Sequence, residues 1–107
     1  MSAGTTNAVP AGGGGLKVIA SGTVTTSSFK GIMLPGAAQF ILYTVSNAAS
    51  TFHGSGVAMP NGLEVPLICQ AASSGLATLG TITLAENGTN MVLEPISKVT
   101  VRYTAIG

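Results

Sequence analysis

The sequence offers few side chains for acid, base or nucleophilic chemistry. It has one histidine, His53, one cysteine, Cys69, and no aspartate. A hydrolytic triad needs a serine, a histidine and a carboxylate in contact, and the serine often stands in a Gly-x-Ser-x-Gly turn. His53 stands near Ser55 in "TFHGSG", but that spacing is missing. The pattern therefore predicts a loop histidine beside a glycine-rich turn, not a catalytic base.

Metal and glycosidase chemistry are equally unsupported. One histidine and one cysteine cannot make the usual zinc ligand sets, and calcium sites are expected to cluster acidic side chains. The three carboxylates, Glu64, Glu86 and Glu94, lie near turns or prolines. Two of them would suit glycoside hydrolysis only if the fold brought them together, and the sequence gives no reason to expect that. We predict a protein that is not an enzyme and needs no cofactor or metal.

Composition points to a protein that is covered by other proteins. A chain of 107 residues makes one domain, and only 7% of its residues are charged, with a net charge of +1. Soluble domains usually have about 25% charged residues, and near-neutral proteins tend to associate. We therefore expect a homo-oligomer, a trimer or a dimer, although a monomer with a Ser/Thr/Asn/Gly surface remains an alternative.

Several other partners and contexts have no support in the sequence. Nucleic-acid binding would require a clustered basic face, and the four cationic residues form no cluster. The start, "MSAGTTNAVPAGGGGLK", has neither the basic region nor the apolar region of a signal peptide. No apolar run approaches the ~20 residues of a membrane span. The single Cys69 excludes an intramolecular disulfide and is predicted to be a small buried hydrophobic residue.

The first 15 residues form a segment apart from the rest, which we predict to be a single β-domain over residues 16–107. Their Ala/Gly/Thr composition cannot build a core element, so they are either a flexible tail or an arm that binds a neighbouring subunit. Fully extended, such an arm reaches at most ~50 Å. The candidate partner-binding residues are Thr5, Thr6, Asn7, Val9, Pro10, Gly12, Gly13, Gly14 and Gly15.

After Gly15 the sequence alternates strand-like runs with turns. The predicted strands number seven or eight, and this pattern favours an all-β fold, a small antiparallel β-sandwich or jelly-roll-like barrel with a flexible Gly-rich N-terminal arm. A short helix is conceivable only around Cys69 to Ala77, where "SSG" interrupts it. The predicted strands cover 16–27, 30–34, 39–46, 51–59, 63–71, 81–86, 89–94 and 98–106, with 72–80 ambiguous.

Three local signals refine this prediction. Pro66 predicts an edge or bulged strand, because proline cannot donate to the ladder. Asn87-Gly88 predicts a hairpin with a type I′ turn. The segment "QFILYTVS" (39–46) is an aggregation hazard at an open sheet edge, so we expect it to be covered, with one alternate set of its side chains facing the core. That set is either Phe40 and Leu42 or Ile41 and Tyr43, and the aromatic residues Phe29, Phe40, Tyr43, Phe52 and Tyr103 are mostly expected in the core.

The whole pattern resembles a known class. The stretches "LKVIASGTVTTSS", "LPGAAQFILYTV" and "ITLAENGTNMVLEPISKVTVRYTAIG" are similar to small structural proteins of tailed bacteriophages. In such proteins a Gly-rich start precedes a compact β-domain. A Pro-Gly-Ala unit leads into an apolar strand, and a closing hairpin precedes a Ser-x-Val-Thr-Val-x-Tyr strand. The resemblance covers roughly residues 16–107.

This resemblance implies a role on the virion. The expected function is capsid decoration, or cement: the protein would lie on the capsid surface and bind the major capsid protein or other virion proteins. Phage cement proteins commonly hold neighbours together with extended segments, which the Gly-rich start would supply. A tail, collar or fibre component remains an alternative, as does a cell-surface or carbohydrate-adhesion module.

Overall fold

The computed structural model describes residues 15–71 and 75–107, and the described part is built of β-strands joined by turns and loops, without a helix. Eight strands follow one another along the chain. Every paired neighbour is antiparallel. The strands are β1 (Val18–Thr26), β2 (Lys30–Met33), β3 (Phe40–Asn47), β4 (His53–Ala58), β5 (Val65–Ala71), β6 (Gly75–Leu84), β7 (Asn90–Pro95) and β8 (Val99–Ile106).

The strands form one sheet that curls into a nearly closed barrel, in the order β1-β8-β3-β4-β5-β6-β7-β2. Its two outermost strands, β1 and β2, are consecutive in the chain and are joined by only residues 27–29. So short a connection places the end of β1 near the start of β2. The first strand pairs with the last and the second with the last but one, whereas β3 to β6 pair in chain order as a meander. The all-β prediction is confirmed.

The hazardous segment "QFILYTVS" lies in the interior of the sheet. β3 is hydrogen-bonded to β8 on one side and to β4 on the other, so its backbone groups are paired along both edges. Ile41, Tyr43 and Val45 point into the core, and Leu42 points outward with 45% of its surface exposed. The segment therefore needs no charged neighbours to prevent edge-to-edge pairing.

Four residues form one row across four adjacent strands and pack against one another inside the barrel. Gly22, Tyr103, Tyr43 and Gly56 are direct cross-strand neighbours on β1, β8, β3 and β4. Each tyrosine ring lies over a glycine. A Cβ atom on Gly22 would stand 2.9 Å from the Tyr103 hydroxyl, and one on Gly56 would stand 2.5 Å from the Tyr43 hydroxyl. The glycines thus provide the space that the two rings occupy.

β4 also lies very close to β5, because Gly54 has no side chain. A Cβ atom there would overlap the carbonyl oxygen of Ile68 and lie 3.2 Å from the Cα of Cys69. The two strands share a single ladder pair, His53 with Gln70. The sheet is therefore held at this point by close backbone packing as much as by its ladder.

The core is apolar. Among the described residues, the buried side chains that form the central cluster are all hydrophobic, and partly buried residues such as Phe52 and Tyr103 pack against it. The expectation that the aromatic residues are mostly internal fails for Phe29, which stands in the short β1–β2 connection with 66% of its surface exposed. The cluster consists of Leu34, Ala38, Ile41, Tyr43, Val45, Ala58, Leu67, Cys69, Leu79, Ile82, Leu84, Met91, Leu93, Val99, Val101 and Ala105.

Two local predictions concern the β5–β6–β7 region. The register between β5 and β6 shifts between Pro66 and Ile68, so the predicted bulge is confirmed. Residues 75–80 of the ambiguous stretch 72–80 and residues 81–84 of the strand predicted at 81–86 belong to one strand, β6, and residues 72–74 lie outside the described part. Gly80 lies within it at φ 142°, with its α-carbon against the backbone of Pro95. Only a glycine fits both that angle and that contact.

The predicted type I′ turn at Asn87-Gly88 is wrong. That turn needs positive φ at both residues, but Gly88 has φ 74° whereas Asn87 does not adopt a positive φ. The turn is closed instead by the Gly88 amide donating to the Ala85 carbonyl at 2.8 Å. The Asn87 side chain accepts from the Thr89 amide at 3.0 Å, which stabilises Asn87 outside the left-handed region.

Truncating the core face of β3 should be far more costly than truncating its outer face. We expect Ile41→Ala to lower the free energy of unfolding by about 3 kcal/mol, because it removes a fully buried side chain and leaves a cavity. Leu42→Ala, its neighbour on the outer face, should cost less than about 1 kcal/mol. Urea unfolding followed by circular dichroism measures both, and equal losses would contradict the assigned orientation of β3.

The close approach of β4 and β5 can be tested at Gly54. Gly54→Ala should destabilise the protein by about 2 kcal/mol, because the new methyl group meets backbone atoms that cannot move away as a side chain can. Gly31→Ala on β2 is the matched control, since the nearest atom to its Cβ would be the Asn90 Oδ1 at 3.9 Å. Thermal unfolding should therefore separate the two variants, and a tolerated Gly54→Ala would show that the strands are further apart.

Candidate functional site

The candidate partner-binding residues at the start of the chain lie almost wholly outside the described part. Gly15 is the exception: it is exposed, with open space around its α-carbon. Two residues later, the Lys17 amide donates to the Gly107 carbonyl at 3.0 Å, and the Gly107 amide donates back at 2.9 Å. The chain therefore enters the barrel beside the end of β8. The predicted residues outside the described part are Thr5, Thr6, Asn7, Val9, Pro10, Gly12, Gly13 and Gly14.

His53 lies on the outer surface, but not in a loop as predicted. It is the first residue of β4, and its Nε2 is 2.8 Å from the Ser50 carbonyl oxygen. Ser55 follows on the same outward face. β4 and its neighbours β3 and β5 carry no carboxylate side chain, so no acid stands beside His53 in the sheet to orient it. The histidine ring therefore stabilises the β3–β4 connection through its contact with the Ser50 carbonyl.

Cys69 is buried in the core, as predicted. Burial raises the pKa of its thiol, and the Sγ donates weakly to the Val45 carbonyl at 3.9 Å. Tyr43 faces it across the interior, and its pKa is raised by burial first and by the charge of a Cys69 thiolate second. A thiol kept protonated and away from solvent is a poor nucleophile, so Cys69 acts in packing.

Two glutamates meet on the outer surface, which the sequence gave no reason to expect. Glu94 is on β7 and Glu64 directly precedes β5, with β6 between these two strands. A side-chain hydrogen bond with Glu64 raises the pKa of Glu94, with smaller contributions from desolvation and from the charge of Glu64. Paired glycosidase carboxylates stand on either side of a sugar bond, and carboxyl groups in direct hydrogen bond leave no room for one.

Arg102 lies on the face of the barrel opposite Glu64 and Glu94. It points outward from β8, between Thr23 of β1 and Thr44 of β3, its direct cross-strand neighbours. Thr100 and Thr104 flank it along the strand on the same face, so four hydroxyl groups surround the guanidinium group. The Thr100 hydroxyl also lies 3.0 Å from that of Thr25. The direct neighbours of Arg102 on this face therefore carry hydroxyl groups, and the exposed Leu42 lies beside Thr104 in the adjacent row.

A shallow concavity adjoins Arg102. It has a volume of about 440 Å³ and extends from Arg102 and Thr44 toward the β3–β4 connection, where His53 and Ser50 line it. A second, of about 360 Å³, lies on the other side of Arg102, between Leu42 and Thr104. Neither concavity is lined by a carboxylate. The surface around Arg102 thus has the donors that recognise a carboxylate or another oxyanion.

Large apolar side chains are exposed over much of the surface. Leu42 and Val57 are cross-strand partners on the outer face of β3 and β4, and each has nearly half of its surface exposed. The composition shows that the chain has few charges, but it does not reveal which hydrophobic side chains are exposed. The exposed large hydrophobic residues of the described part are Leu16, Val18, Phe29, Met33, Leu42, Val57, Met59, Leu63, Ile68, Leu76 and Ile96.

Comparison with known proteins gives no further assignment. The chain matches no family model, no curated protein and no solved structure. Within residues 15–71 and 75–107, no helix is long and apolar enough to cross a membrane. In the same residues, no three His, Cys, Asp or Glu side chains come together as a metal site would need.

The contact between the two glutamates can be tested by titration. We expect the Glu94 carboxyl to titrate above its ordinary pKa, and Glu64→Gln to lower that pKa, because the substitution removes both the negative charge and the shared proton. Glu86→Gln, which neutralises the glutamate of the β6–β7 turn, should leave Glu94 unchanged. Carboxyl ¹³C chemical shifts measured against pH report each group, and an unchanged Glu94 pKa in Glu64→Gln would show that the two do not meet.

Proposed function

We propose that this protein is a non-enzymatic structural protein of a virion that decorates the capsid and stabilises its lattice. The observation that carries this proposal is the outer surface. It combines exposed large hydrophobic residues with few charges. Adjoining exposed apolar side chains, such as Leu42 and Val57, support an interaction site on this surface. The resemblance of residues 16–107 to small structural proteins of tailed phages supports the major capsid protein, or another virion protein, as the proposed partner.

The mechanism of such a protein is passive. Docking across the junctions between capsid subunits buries apolar surface of both partners, and that burial opposes separation of the subunits. The barrel suits this purpose because its core is complete without the partner, so docking need not be coupled to folding. No reacting group is required, which accords with a buried Cys69 and a His53 that has no acid beside it.

Two features of the barrel would serve attachment. β1 pairs with β8 along one side, and in the described part no strand is hydrogen-bonded to its other side. An extended segment of a partner can add to such an edge through main-chain hydrogen bonds. Residues 1–15 precede the same strand in the chain, directly before the exposed Leu16. In this proposal the barrel binds one capsid subunit and the arm binds the neighbouring subunit.

Removing the arm should separate attachment from folding. We expect a chain lacking residues 2–15 to lose binding to capsids, because its interface would be confined to the barrel. Its far-ultraviolet circular dichroism and thermal unfolding should match those of the full chain. Cosedimentation of each form with capsids stripped of the protein measures binding. Lys98→Ala, which removes an exposed charge at the opposite end of β8, is the control that should still bind.

Two outcomes would count against parts of this proposal. Undiminished cosedimentation of the truncated chain would show that the arm takes no part in attachment, and the barrel alone would be the docking unit. Failure of the full chain to bind stripped capsids would contradict the decoration function itself. A tail, collar or fibre component would also fail to bind capsids, but it would still be present in the particle.

A further inference from the structure

The charged side chains are sparse, and the half of the barrel that carries Arg102 has no carboxylate, whereas Lys30 of β2 lies on the half that carries the glutamates. The strands β1, β8, β3 and β4 carry Arg102 as their only Lys, Arg, Asp or Glu residue. All three glutamates of the chain lie on or beside β5, β6 and β7. In the order of the sheet, β8 is the second strand and β6 the sixth, half of the eight-stranded circumference away. Arg102 and the Glu64–Glu94 pair therefore face opposite directions.

The Arg102 face presents a positive charge, and the Glu64–Glu94 face presents carboxyl groups. Arg102 is exposed and surrounded by hydroxyl groups, with no carboxylate side chain on its own half of the barrel. A side-chain hydrogen bond with Glu64 is the main reason that the pKa of Glu94 is raised, and desolvation and the negative charge of Glu64 add to it. A guanidinium group placed on the pair would satisfy both faces, since its planar fork matches carboxylate oxygens.

Apolar side chains lie next to the charge on each face. Beside Arg102, the adjacent row of the sheet contains Leu42 and Val57, which are 45% and 46% exposed. On the acidic face, Pro66 lies in the same row as Glu94, across Thr81, and the nearby Ile68 is 49% exposed. Charge supplies orientation, and burial of these apolar groups supplies affinity.

We infer that the partner of the Arg102 face is the Glu64–Glu94 face of a second copy of this chain. The contact is heterologous: each copy uses one face and leaves the other free for a further copy. Because the two faces lie on opposite sides of the barrel, successive copies add in the same direction, and the assembly is an open stack or a large ring. This inference does not rest on the virion function, since it concerns the purified chain alone.

The competing partners for the Arg102 face are an acidic glycan and a carboxylate on another protein. Both would be recognised by the same guanidinium and hydroxyl groups. A second copy is favoured because the chain itself presents a paired carboxylate with an apolar border, matching the border of the Arg102 face. Neither competitor would require Glu64 or Glu94, and this difference separates them experimentally.

Sedimentation velocity of the full chain tests the inference over a range of concentrations at low ionic strength. The unmodified protein should form oligomers beyond the dimer, and added salt should weaken them.

Arg102→Ala and the double variant Glu64→Gln/Glu94→Gln should each associate at least about tenfold more weakly. Arg102→Lys keeps the charge but loses the fork, so it should restore only part of the association. Lys98→Ala and Glu86→Gln, which remove charges outside the two faces, should behave as the unmodified chain.

The decisive sample is an equimolar mixture of Arg102→Ala and the double glutamine variant. The first still has its acidic face and the second still has its Arg102 face, so one contact forms and no further contact can follow. The mixture should therefore yield dimers and stop there. Growth beyond dimers would overturn the two-face contact, as would an unmodified chain that remains monomeric. Unweakened association of Arg102→Ala alone would show that another surface is responsible.

Discussion

The architecture depends on how two tyrosine rings are accommodated inside a narrow barrel. Tyr43 and Tyr103 are direct neighbours across β3 and β8, and each ring extends sideways over a glycine on the next strand. With alanine at Gly22 or Gly56 the rings would collide with a methyl group at 2.9 or 2.5 Å. The row therefore fixes the register of four strands at once. Because side chains alternate between faces, the same register determines what the outer surface presents.

The outer surface follows from that register. With Tyr103 directed inward, Arg102 and the neighbouring threonines must point outward. With Tyr43 inward, Leu42 must also be exposed. A slip of one residue would bury the arginine and expose the tyrosine, at a large cost in both burial and solvation. The few charges of the chain therefore have a spatial pattern, in which Arg102, a carboxylate pair and several apolar residues occupy defined positions on the barrel.

Much of the fold could be predicted from the sequence, because strand and turn signals are local. In "KVTVRYTAI" the alternation of valine and tyrosine with threonine and arginine matches the outward direction of Arg102, and Pro66 correctly indicated a bulge. The β3 segment left two orientations open, since Phe40 and Leu42 are as apolar as Ile41 and Tyr43. Turn geometry at Asn87 was mispredicted because its side chain bonds the Thr89 amide. The Glu64–Glu94 contact and the close approach at Gly54 depend on which strands pair, and pairing between distant segments leaves no local signal.

The proposed function is tested most directly by counting copies of this protein in the particle. Quantitative mass spectrometry of gradient-purified virions gives the ratio of this chain to the major capsid protein. A lattice-wide decoration protein should be present on the order of hundreds of copies per particle, because it repeats with the symmetry of the shell. A few copies per particle would place it in the tail, collar or fibres. Its absence from purified virions would contradict the virion function altogether.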